Sequence, residues 1–156
     1  GMEYTSLIHD FAERTLRNLE HIEKQERLGV DQVYPVTQLW NSLLGLVVAP
    51  RERDVALIPH ARLDGPMTSD WSRLTTTFGP EPRTVQELFR NLRNSVAHFN
   101  VEFWPGSSGE IAWIHLWNNA PRGGPMIWKA TISAPDLNAL SKQLAHAYLE
   151  CFAPAA

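Results

Sequence analysis

Residues 92–100 read LRNSVAHFN and bring together residue types that can do chemistry on an anion. Arg93 offers a planar fork of N–H donors suited to a phosphate or carboxylate. His98 supplies an imidazole, the side chain whose ordinary titration range suits proton transfer near neutral pH. Asn94 lies four residues before His98, so on a helix the two side chains are neighbours within hydrogen-bonding reach. Spacing alone carries nothing: with 11 Arg and 6 His, about one arginine followed by a histidine after four to six residues is expected by chance. The chain holds three such pairs, Arg14 with His21, Arg53 with His60, and Arg93 with His98. Requiring four intervening residues and Asn, Asp or His directly after the arginine lowers the expectation to about 0.05, and of the three pairs only 93–98 passes.

The helix that must position these groups is legible. Thr84 is a good N-cap, and Glu87 three residues on completes a capping-box pattern. Val85, Leu88, Phe89, Leu92, Val96 and Phe99 form its apolar side. Glu87, Arg90, Asn91, Asn94 and His98 cluster opposite, with Arg93 at their edge, and His98 falls near the expected helix end. Arg93 and His98 diverge by about 140° around the helix, so they meet most naturally across an interface with a second copy of it. Glu87 and Arg90 are candidate supporting groups on the same face; a solvated or interfacial face is the plain alternative.

Around this helix, Tyr4, Leu7, Ile8, Phe11, Leu16, Leu19 and Ile22 approximate a helical stripe from Tyr4 to about Arg27, stopped by Gly29. A second helix opens at Pro35 and runs to Pro50, apolar almost all round and therefore buried. Residues 50–83 read as an irregular connection with a short helical turn near 69–75. EIAWIHLWN at 110–118 and MIWKATIS at 126–133 alternate as strands, and NAPRGGP between them is turn chemistry, predicting a β-hairpin. Two strands alone make no stable sheet, so the hairpin is expected to lie on the helices or pair with a second chain. Trp113, Trp117 and Trp128 read mainly as packing residues, with a base-stacking platform as the sharper alternative. Ser133 caps a last helix from about Pro135 to Phe152.

Length and composition restrict the function classes. A chain of 156 residues with 44% hydrophobic and 20% charged content fits one globular domain, here 2–156, with Gly1 read as a tag remnant. The net charge of −3 argues against a bulk-electrostatic nucleic-acid binder but leaves room for a site that grips one or two phosphates. Cys151, the single cysteine, excludes an internal disulfide and a cysteine-built metal cluster and reads as a core residue. His9, His21, His60, His115 and His146 are scattered without metal-ligand spacing, and no glycine-rich phosphate loop or nucleophile elbow is present. No cofactor or metal is therefore expected. The longest apolar run, 43–50, is too short for a membrane span, and no signal peptide is read, so a cytoplasmic protein is expected.

LFRNLRNSVAH resembles the signature of the HEPN superfamily (higher eukaryotes and prokaryotes nucleotide-binding domain): Arg, a polar residue, three more, then His. VTQLWNSLLGLVVAPRE at 36–52 is also similar to the second helix of a plasmid-borne bacterial HEPN family, which shares a hairpin before its last helix. The resemblance implies a mainly α fold, a HEPN-like bundle of four to five helices with a β-hairpin between the last two. It implies a homodimer whose motif helices line one cleft, and in many members a metal-independent endoribonuclease of toxin–antitoxin or phage-defence systems. Partners implied are RNA and an antitoxin or nucleotidyltransferase. Carried over by residue, Arg93 would contact the scissile phosphate, Asn94 would position it and His98 would handle the proton. RNA supplies its own nucleophile in the 2′-hydroxyl, and the product would be a 2′,3′-cyclic phosphate. The alternative within the same superfamily is a non-catalytic dimer module that binds nucleotide, RNA or a protein. Toxins silenced by nucleotide transfer carry a tyrosine two residues beyond the histidine; here that residue is Asn100, which departs from the pattern.

Overall fold

A computed structural model describes residues 4–29, 35–43, 45 and 73–151. In chain order these form α1 (Tyr4–Arg27), α2 (Pro35–Leu43), β1 (Thr75–Phe78), α3 (Val85–Ala97), β2 (Val101–Pro105), β3 (Ile111–Asn119), β4 (Met126–Ser133) and α4 (Ala134–Cys151). They fall into two compact units, residues 1–58 with 141–156 and residues 59–140, so α4 begins in one and ends in the other. No described helix is long and apolar enough to cross a membrane.

In the first unit, α1 packs on α2. Among the α1 residues whose burial is described, Ala12, Thr15 and Leu19 are buried, so Leu19 of the expected stripe faces the core whereas Phe11 is exposed. Gly29 ends the helix at φ +65°, a conformation that glycine adopts without a Cβ penalty. Leu39, Trp40 and Leu43 of α2 are buried; the rest of the helix expected as far as Pro50 lies outside the described residues, apart from Gly45. Lys142 on α4 donates to Glu23 on α1 at 2.7 Å.

The second unit overturns the expected mainly α bundle. Its centre is a four-stranded, fully antiparallel sheet in the order β1-β4-β3-β2. Together with four helices among the described residues this makes a mixed α/β protein. The β3–β4 hairpin stands close to where the sequence places it. The hairpin lies on a helix, as expected, since α3 packs against β3, and each of its edges is in addition paired with another strand of the same chain. Thr75–Phe78 pairs with β4 where a loop and a helical turn were expected, and Val101–Pro105 pairs with β3 directly after α3.

Alternation divides the sheet into two faces. Ile114 and Leu116 of β3 and Trp128, Ala130 and Ile132 of β4 are buried on one face. α3 packs against β3, and Val85, Leu88, Phe89, Leu92 and Val96 of its apolar side are buried. Phe99, expected on that side, lies past the helix end and is 63% exposed. Ser133 caps α4 as anticipated, its Oγ accepting from the Asp136 N–H at 3.2 Å.

Candidate functional site

The LRNSVAH stretch forms the last two turns of α3. The helix opens where Thr84, extended at φ −129° and ψ 157°, accepts from the Glu87 N–H through Oγ1 at 3.1 Å. Glu87 reaches back, its Oε2 accepting from the Arg83 N–H at 2.7 Å, one residue earlier than a strict capping box would have it. The carboxylate of Glu87 is thus committed to the helix start, about 16 Å along the axis from His98. Arg90 is about 12 Å from it by the same measure, so neither reaches His98 within one protomer.

The end of the helix is built more unusually. His98 is the C-cap residue, its N–H donating to the Asn94 carbonyl at 3.2 Å. Phe99 then turns left-handed at φ +53°. Its N–H donates to Val96 O at 3.1 Å and the Asn100 N–H donates to Ser95 O at 2.8 Å, the paired bonds of a Schellman motif. That motif usually places glycine where this chain has phenylalanine, so the backbone beside His98 is held in a costly conformation. Asn100 is tied on its other side as well, since its carbonyl accepts from the Trp117 N–H at 3.2 Å.

Between Asn94 and His98 in sequence lies Ser95, fully buried and about 100° and 60° round the helix from them, where the exposed row gives way to the buried side. Its Oγ is 2.8 Å from Asn118 Oδ1, 3.0 Å from Asn91 O and 3.1 Å from Trp117 O. One hydroxyl proton serves one of these acceptors at a time. Asn118, also buried, donates through Nδ2 to the Asn91 carbonyl at 3.1 Å. This network bolts the motif helix to β3, and reading the motif alone does not find it. The signal was present in the sequence as a polar Asn118 at an inward position of an apolar strand.

The predicted residues are accordingly placed as follows. Arg90, Asn94 and His98 form an exposed row at successive i, i+4 positions. Arg93 is half-buried in the neighbouring row, followed four residues later by the exposed and small Ala97. Among the described residues no ion pair or hydrogen bond engages the side chains of Arg90, Arg93, Asn94 or His98. The helix brings Asn94 and His98 side by side and leaves Arg93 turned away from His98 within one copy.

Among the described residues, His9, Asp10 and Glu13 bring donor atoms within 4.8 Å of one another, as a metal would need. They occupy one turn of α1, and Glu13 is already held by Arg17 at 2.6 Å. A neutralised carboxylate and a single imidazole make a poor ligand set.

A family model described as HEPN pEK499 p136 matches residues 2–153. No curated protein and no solved structure matches the chain.

Proposed function

The chain belongs to the HEPN pEK499 p136 family, and from that membership we propose that it is a metal-independent endoribonuclease of HEPN type. The observation that carries this reading is the solvent-facing side of α3. Arg93, Asn94 and His98 stand on it without partners among the described residues, while the opposite side is fastened to the sheet.

Two copies of α3 meet across a symmetric seam, and each brings its arginine towards the other's histidine. Arg93 binds the non-bridging oxygens of the scissile phosphate, where negative charge grows in the transition state. Asn94 orients the same phosphate. The 2′-oxygen attacks phosphorus and the bond to the 5′-oxygen breaks. A neutral imidazole takes the 2′-hydroxyl proton and a protonated imidazole, His98 of one copy or the other, gives one to the leaving 5′-oxygen. The products are a 2′,3′-cyclic phosphate and a 5′-hydroxyl, with no external nucleophile and no metal in the scheme.

The test is incubation of the purified protein in EDTA with mixed single-stranded and structured RNA. Cleavage leaving cyclic-phosphate ends, lost in His98→Ala and in Arg93→Ala, is the expected result. Within one protomer Arg93 and His98 make no composite site, so without the seam the same face would serve a second reading, a non-catalytic HEPN dimer module for nucleotide, RNA or a protein partner. RNA bound but left intact by the wild type supports that reading instead.

A further inference from the structure

The outer face of the sheet is not used by the reading above. Cross-strand register sorts its side chains into rows. Trp104 on β2 lies opposite Trp113 on β3. The next row on that face holds Glu102, His115, Thr131 and Thr75, and the row after it holds Trp117, Lys129 and, past a bulge in β1, Phe78. Trp104 is 50% exposed, Trp113 49% and Phe78 49%, although strand tryptophans ordinarily serve as core. The ring of Trp104 leans on His115, with centroids 4.5 Å apart and planes tilted by 46°. Two aromatic rows thus lie about 13 Å apart along the strands, separated by polar groups.

We propose that this face is a stacking platform for single-stranded RNA, the choice of RNA over DNA resting on the ribonuclease reading. Flat rings take bases of any sequence on their π-faces. Within the second row, flanked by Trp117 and Phe78, Lys129 supplies a cation with no ion-pair partner among the described residues, matched to the phosphates of a strand laid across the rows. The exposed hydroxyl of Thr75 adds a polar contact at the level of the sugars. Glu102, the one acid in these rows, sits on the outer strand β2. A second copy of the chain fits the same face less well. Protein interfaces share its aromatic content, but their centres are depleted in lysine, glutamate and other polar groups such as those between these rings. The net charge of −3 makes the binding local and stacking-led instead of a bulk attraction to phosphate.

The experiment measures fluorescence anisotropy of a labelled single-stranded oligouridine, with the His98→Ala protein as the background so that no RNA is consumed. Trp104→Ala and Trp113→Ala are each expected to weaken binding about ten-fold, with Trp→Phe at either position retaining most of it. Lys129→Gln is expected to weaken it and to flatten the salt dependence. An unlabelled RNA duplex is expected not to compete. Because Trp104 and Trp113 are half-exposed, unchanged thermal unfolding verifies that each variant folds. Tight binding that survives both tryptophan substitutions overturns the platform, even if the wild type cleaves RNA. Equal affinity for oligothymidine overturns the preference for RNA. A change in sedimentation on tryptophan substitution, with RNA affinity unaltered, overturns the proposal in favour of self-association. Binding lost in the tryptophan variants, with a wild type that does not cleave, leaves the platform standing and removes the ribonuclease reading.

Discussion

His98 and Arg93 divide the proposed chemistry between them, and their substitutions should differ in kind. Replacing His98 with alanine removes the proton carrier and is expected to lower the cleavage rate by about 10²-fold or more. Arg93→Lys keeps the charge but loses the planar fork, so it should recover little of what Arg93→Ala loses. Single-turnover kinetics with an excess of protein check both. Beside His98, Phe99 holds φ +53° where glycine would rest without strain. Phe99→Gly is expected to raise the unfolding free energy by about 1 kcal/mol, read by urea denaturation. A loss of cleavage in that otherwise more stable variant would show that the strained turn helps to aim the imidazole.

At the scale of elements, the fastening of α3 to β3 through Ser95 and Asn118 is expected to be worth more than a surface contact. Asn118→Ala removes the Nδ2 donation to the Asn91 carbonyl and one of the three acceptors around the Ser95 hydroxyl, and should cost about 1 kcal/mol. Ser95→Ala and the double variant complete a cycle in which the two losses should not add, because the residues share one network. The same elements show how far the sequence could be read. The helix Val85–Ala97, its cap at Thr84 and the β3–β4 hairpin follow from period, capping chemistry and turn residues, all of which act over a few neighbours. The candidate residues follow from the motif. The outer strands did not, and the fold class failed with them. Thr75–Phe78 is four residues long with no buried position, so its strand character comes from pairing with β4 and not from its own pattern. Val101–Pro105 begins three residues after the C-cap of α3, and its alternation is too short to stand apart from the helix. Phe99 failed for a related reason: helical periodicity continues on paper past the point at which the backbone turns left-handed.

For the molecule as a whole, the proposed cleft belongs to two copies of the chain, and that has a direct test. If Arg93 of one protomer serves His98 of the other, mixing inactive Arg93→Ala and His98→Ala proteins rebuilds one of two pairings in each mixed dimer. Activity should return to roughly a quarter of the wild-type level after subunit exchange, whereas sites confined to one protomer would stay silent. The same dimer should appear as twice the chain mass in sedimentation. The outer strands have a final consequence. A sheet edge is a template on which foreign strands polymerise, and half-exposed tryptophans on the adjoining face would make that hazard worse. Among the described residues the edges are β1, four residues long with a bulge between Thr76 and Phe78, and β2, kinked between Trp104 and Pro105 and ended by that proline. Short, bent borders, one of them ended by proline, offer a growing fibril few main-chain bonds, which lowers the hazard of presenting these rings to solvent.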